Sequence, residues 1–203
     1  MCRMNRTSIL CSLTLVLASS LSACKKGDDK GGGAAKSGEA TAPAAAVNEA
    51  DWAVKNLHDV APLINISMKV PKSAMLEKNG NGGVDIHVSK ASVITVSNVA
   101  VSNIKEAMDG DKSLTIKASN YINGKALIDE PNGFVYSMQM KTEENGHTYE
   151  PEAHFAFYVE KDGAVYSVQE GRSMDGFSEP GSAFGEDAAK KMYAIVKGSA
   201  KIN

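Results

Sequence analysis

Residues 152–169, EAHFAFYVEKDGAVYSVQ, decide the fold. Phe155, Phe157 and Val159 alternate with Glu152, His154, Ala156, Tyr158 and Glu160, the period of two that sends successive side chains to opposite faces of a strand. Lys161-Asp162-Gly163 then supplies a hairpin turn, because Asp-Gly tolerates the positive φ that suits the twist of two antiparallel strands, and Val165 to Gln169 run back. The stretch predicts an antiparallel sheet, with one apolar face and one polar, solvated face carrying Glu152 and His154.

The same period recurs outward from the hairpin. Phe134, Tyr136, Met138 and Met140 alternate with Val135, Ser137, Gln139 and Lys141 behind Asn132-Gly133, and methionines at this spacing read as core filler rather than as a copper or ligand surface. Tyr121 to Ile128 reads as a strand, with Asn123-Gly124 as a tight turn between shorter pieces, and Leu114, Ile116 and Ala118 read as another. Val93 to Val99 and Val84, Ile86 and Val88 follow the pattern, the latter pair of runs preceded by the turn formers of 79–83. Ile64, Ile66, Met68 and Val70 form a strand closed by Pro71, which has no N–H to donate to a ladder.

Three stretches read as helical. Asn48 with Asp51 at N3 caps a short helix carrying Trp52, Ala53, Leu57 and Val60, with Trp52 packed on the sheet. Asn103 and Glu106 have cap-and-N3 spacing for a short helix ending at Gly110, so that Asp109-Gly110-Asp111 reads as a turn; it lacks the alternating oxygen ligands of a calcium loop. Near the C-terminus, Glu186 and Asp187 favour a first helical turn, and Ala188, Ala189, Met192, Ile195, Val196 and Ser199 fall on one stripe. The sum is an α+β fold: a largely antiparallel sheet of about seven or eight strands, with a short inserted helix and a C-terminal helix packed on it.

The ends of the 203-residue chain differ in kind from this middle. Arg3 and Arg6 precede an apolar run, Ser8 to Ser20, of signal-peptide length and too short to span a bilayer as a helix. Leu21-Ser22-Ala23-Cys24 follows directly and resembles the lipobox of bacterial lipoproteins. That resemblance implies cleavage before Cys24, a diacylglycerol on its sulfur and delivery to the cell envelope; Lys25 in the next position favours the periplasmic face of the outer membrane over the inner membrane. Residues 24–47 read as the lipidated Cys and a disordered linker, since Gly, Ala, Ser, Lys and Asp offer nothing to bury. Residues 48–203 read as a single globular domain.

Cysteine use and charge then exclude classes. Cys2 and Cys11 lie in the leader and Cys24 at the lipid site, so residues 25–203 hold no thiol for a disulfide, a nucleophile or a metal cluster. The leader's two arginines and the linker's four lysines and three acids set aside, the domain has 16 basic and 21 acidic residues, a charge of −5. A mildly acidic domain without a basic stripe argues against nucleic acid.

The order of elements also resembles the PsbP-like fold, on the strand ending in Val70-Pro71, the hairpin at Asp162-Gly163, and the closing helix with Ile195-Val196-Lys197-Gly198-Ser199. Pro71 is followed by Lys72-Ser73, where the family usually has an aromatic residue. The resemblance spans about 62–203 and implies a binding or assembly scaffold; it carries over no catalytic residue.

Chemistry-bearing clusters are few. Ser102 and Lys105 form an SxxK string without its companion KTG and SDN motifs. His147, Glu150, Glu152 and His154 have metal-ligand chemistry, but two ligands at i and i+2 bind a metal weakly without a third, so no metal and no cofactor is expected. The long loop of 171–183, with Arg172, Met174 and Phe177 among turn formers, is the expected partner or ligand surface. The functional expectation is a membrane-anchored, non-enzymatic binding or assembly module whose partner is another envelope protein or a small ligand. Its rivals are a metal-dependent envelope enzyme using His147, Glu150, Glu152 and His154, and a structural spacer of the envelope.

Overall fold

The computed structural model describes residues 47–143, 146, 148–172 and 185–203. They form ten strands in two antiparallel sheets and two α-helices, an α+β fold. In chain order these are β1 (Trp52–Asn56), β2 (Ile66–Pro71), β3 (Met75–Lys78), β4 (Val84–His87), β5 (Ser92–Asn98), α1 (Ile104–Leu114), β6 (Tyr121–Glu130), β7 (Gly133–Met140), β8 (Glu152–Lys161), β9 (Ala164–Arg172), α2 (Glu186–Ser199) and β10 (Lys201–Ile202). The larger sheet has the order β3-β4-β5-β9-β8-β7-β6 and the smaller β1-β2-β10.

The β8–β9 hairpin stands at the centre of the larger sheet, as its patterning predicts. Asp162 and Gly163 take φ of 53° and 79°, the left-handed pair that a two-residue hairpin turn of the favoured twist requires. One face of the sheet packs on α2 and the smaller sheet. Phe155, Phe157, Tyr166 and Val168 meet Ile66, Met68 and Val70 from β2 and Met192, Tyr193 and Val196 from α2. Phe155 and Phe157 each meet the Tyr193 ring edge-on, at 5.8 and 5.9 Å between centroids, a geometry favoured by ring quadrupoles. Gly133 permits the close approach of α2 to β7, since a Cβ there would lie 2.4 Å from the Tyr193 hydroxyl and 2.7 Å from Phe157 Cβ.

Among the described residues, α1 is the helix that covers the opposite face. Met108 is buried there with Phe134, Tyr136, Ala156, Tyr158 and Val165, and Ile104 and Ala107 pack alongside. Asn103 caps α1 as its sequence predicts: Oδ1 accepts from Lys105 N at 3.0 Å and Glu106 N at 3.3 Å.

Several expectations need correction. The helix read from Asn48 is a single 3-10 turn, Glu49–Asp51, after which Trp52–Asn56 is a strand paired with β2; Asn48 caps only that turn, accepting from Ala50 N at 3.3 Å. Trp52 is buried in the core, as expected. α1 does not stop at Gly110 but runs on to Leu114, so Asp109-Gly110-Asp111 lies inside a helix and Leu114 is not in a strand. A side chain at Gly110 would meet nothing, so the glycine costs the helix only about 1 kcal/mol of propensity, and the packing of Met108 overrides it. Asn123-Gly124 is a bulge within continuous β6: the register with β7 shifts between Ile122 and Lys125, and Asn123 has φ 57°.

Candidate functional site

The site arises where the central hairpin comes apart. The β8–β9 ladder runs from the Lys161–Ala164 pair to the Ala156–Gln169 pair and stops. Beyond it β9 goes on pairing with β5 as far as Ser92–Arg172, and β8 goes on pairing with β7 as far as Met138–Glu152. The two strands therefore leave a fork at this end of the sheet.

Glu170 fills the fork. Its parity in β9 continues the apolar stripe of Tyr166 and Val168, yet its carboxylate joins both arms of the opening. Oε1 accepts from Ser92 Oγ on β5 at 2.6 Å, and Oε2 lies 2.8 Å from His154 Nδ1 on β8. His154 Nε2 is 3.5 Å from Glu152 Oε1. All four side chains are buried, with exposures of 0% for Ser92, 3% for His154, 4% for Glu170 and 5% for Glu152.

Burial by itself lowers the affinity of the imidazole for a proton. The hydrogen bonds and charges of Glu152 and Glu170 outweigh it, and His154 is pushed up to about 9. At neutral pH it is an imidazolium, held between the side chains of Glu152 and Glu170. An imidazolium donates from both nitrogens. Ser92 donates to the carboxylate rather than to the imidazole, so it lacks the adjacent base that activates a serine nucleophile.

A cavity of about 400 Å³ lies over the fork, between the sheet and the C-terminal half of α1. Its wall includes Val93, Asp111, Leu114, Phe134, Tyr136 and Glu170. Asp111 falls on the inward stripe of α1, seven residues after Ile104 and three after Met108, where its Oδ2 accepts from Tyr158 Oη at 3.1 Å and Gln169 Nε2 at 3.2 Å. Burial raises its carboxyl above the usual range, against the lowering effect of those two hydrogen bonds. Burial and the Asp111 charge push the Tyr158 hydroxyl up to about 12, which keeps it a donor. The rings of Phe134 and Tyr136 stack, 5.1 Å between centroids, and Tyr136 lies 5.7 Å from the His154 ring.

A second groove, of about 570 Å³, runs between the outer face of the smaller sheet and α2, lined by Val54, Lys69, Ile195, Gly198 and Ser199. Two of its polar groups are paired within the chain: Lys69 pairs with Glu49 at 2.5 Å, and Ser199 Oγ donates to Val196 O at 3.0 Å.

The residues singled out in the sequence scatter. Cys24, His147, Met174 and Phe177 lie outside the described residues. Arg172 is the last residue of β9, paired with Ser92. Glu150 is exposed before β8, while Glu152 and His154 come together, buried rather than on the solvated face expected of them. Among the described residues no three His, Asp or Glu side chains are arranged to hold a metal ion. Lys105 pairs with Asp109 at 2.8 Å on the exposed side of α1. The sequence reads Asp111 as part of a turn and Tyr136 as one of a strand's alternating residues, and does not single out Glu170, although a carboxylate continuing an apolar stripe marks both Asp111 and Glu170.

No protein-family model and no curated protein matches the chain. Among solved structures it is similar to the solution structure of cyanobacterial PsbP (CyanoP) from Synechocystis sp. PCC 6803, at 10% sequence identity and a TM-score of 0.42, over 77% of this chain and 95% of that one.

Proposed function

We propose that the chain is an envelope lipoprotein, anchored through Cys24 and leashed by residues 25–47, whose folded domain is a non-enzymatic binding module that takes a small ligand in the fork cavity. The observation that carries the binding site is the cavity itself: about 400 Å³, between α1 and the parted strands, backed by a buried charged network and walled by aromatic rings. That volume lies in the usual range of small-molecule sites, and the mixture of apolar wall and few polar groups is what such sites use for orientation. Supporting the anchor are the apolar run Ser8 to Ser20 and the lipobox-like 21–24; tethering raises the concentration of a binding domain at the membrane, where modest affinity suffices.

Native mass spectrometry of the full chain extracted from membranes in mild detergent tests both halves. The expected mass carries acyl chains on Cys24 together with a bound small molecule. Cys24→Ala should remove the acyl mass and the membrane association, and Thr115→Trp, at the cavity wall, should displace the small molecule only. An unacylated wild-type chain contradicts the anchor, and a small molecule unaffected by Thr115→Trp contradicts the site.

A further inference from the structure

The described residues that line the fork cavity offer acceptors and aromatic rings, and no basic side chain. Among the described residues lining it, the acidic side chains are Asp111 and Glu170. Glu170 is spent, with one oxygen on Ser92 and the other on His154. Asp111 is half spent: Oδ2 takes both Tyr158 and Gln169, whereas Oδ1 takes no hydrogen bond or ion pair among the described residues. The Tyr136 hydroxyl, on a side chain only 7% exposed, likewise has no hydrogen-bond partner among the described residues. With its Nε2 given to Asp111, Gln169 keeps Oε1 at the rim.

Buried polar atoms are nearly always satisfied, so the Tyr136 hydroxyl, unpartnered among the described residues, points to a missing partner, and the open oxygen of half-buried Asp111 in the same cavity requires that partner to be a donor. A donor facing a carboxylate is favoured when it is charged, by the shorter and stronger hydrogen bond that results. The surroundings agree in sign. Asp111 gives the cavity wall a carboxylate, and Phe134 and Tyr136 add aromatic surface of the kind that attracts cations. The Phe134 ring already holds Lys112 Nζ at 5.6 Å from its centroid.

We infer that the fork cavity recognises a small organic ammonium ion, a primary amine on an aromatic or branched apolar body, with its N–H groups on Asp111 Oδ1 and Tyr136 Oη and its body against Phe134 and Leu114. This rests on the cavity being the ligand site. A neutral isostere keeps the apolar contact and forfeits the charge, and a carboxylate of the same size meets Asp111 and Glu170 as like charges.

Calorimetric titration of the full chain in mild detergent at pH 7 tests the class. The probes are benzylammonium and phenethylammonium, with 2-phenylethanol and 3-phenylpropionate as neutral and anionic isosteres. At least one ammonium should bind tenfold or more tightly than both isosteres. Asp111→Asn should weaken ammonium binding at least tenfold while leaving 2-phenylethanol unchanged, Tyr136→Phe should weaken it severalfold, and Asp109→Asn, on the exposed side of α1, should leave it unchanged. Circular dichroism of each variant confirms that it is folded. Equal binding of the isosteres overturns the ammonium class and leaves the cavity standing. Failure of both ammonium ions to bind, or indifference to Asp111→Asn, overturns the inference even where a molecule displaced by Thr115→Trp still accompanies the purified chain.

Discussion

The two faces of the seven-stranded sheet are built for different ends. Against α2 and the smaller sheet, Phe155, Phe157, Tyr193 and Val196 interlock with an aliphatic layer from β2, and the hydroxyl of Tyr193 is led out to Glu130 at 2.9 Å. Against α1, an eleven-residue helix must cover three strands, and it leaves a cavity and a buried ion network. A close-packed face of that kind gives stability, whereas the face under α1 keeps polar groups beside a cavity, the site we assign to a ligand.

Substitutions should separate the faces in order of size. Phe157→Ala on the packed face should cost about 3–5 kcal/mol by leaving a cavity under α2, read as a lowered urea midpoint with unchanged slope. Leu114→Ala, at a side chain 76% exposed beside the fork cavity, should leave that midpoint almost where it was. Equal losses would erase the contrast.

Next in size is His154→Gln, which leaves Glu152 and Glu170 buried without the cation between them. Breaking a buried pair in this way costs roughly 3 kcal/mol or more. The pH profile sharpens the reading. His154 is held at about 9 in the fold against 6.5 as the ordinary value, its ring faced by Glu152, Glu170 and the Tyr136 ring. A group raised on folding stabilises fully below its unfolded value, so its contribution is complete below about pH 6.5 and is lost as pH rises through 9. Wild-type stability should therefore fall between pH 6.5 and 9, on the order of 2–3 kcal/mol, and the fall should be absent in His154→Gln. A flat wild-type profile would show that the imidazole is neutral in the fold.

Asp111→Asn should be nearly silent in stability, within about 0.5 kcal/mol of wild type or slightly stabilising at pH 7. Burial raises its carboxyl, so its ionisation opposes folding as pH rises above the ordinary carboxylate range. A large loss on Asp111→Asn would recast Asp111 as structural. Smallest of all, Lys105→Ala removes an exposed ion pair on the outer side of α1 and should not move the urea midpoint measurably.

The strands with clean alternation could be read from the sequence, because one buried face forces a period of two: β2, β4, β5, β7 and the β8–β9 hairpin all stand where Ile66, Ile86, Ile94, Phe134 and Phe157 predict. β3 and β10 could not, since Met75–Lys78 is a mostly exposed edge strand and Lys201–Ile202 has two residues, too few to show a period. The extent of α1 was hidden by Gly110, a local stop signal that tertiary packing overrode. For the site, the i,i+2 pair Glu152 and His154 was visible, but its burial was not: that depends on Glu170 crossing the fork, and a fork is a property of three ladders whose lengths no single strand encodes.

The account turns on which face accepts a ligand. Amide chemical-shift mapping of the full chain in detergent micelles, titrated with phenethylammonium, reads this directly. The predicted shifts cluster at 93–95, 111–115, 136 and 169–171, and Asp111→Asn abolishes them. Shifts gathered instead around Val54, Lys69, Ile195 and Ser199 in the groove beside α2, or none at all, would contradict it.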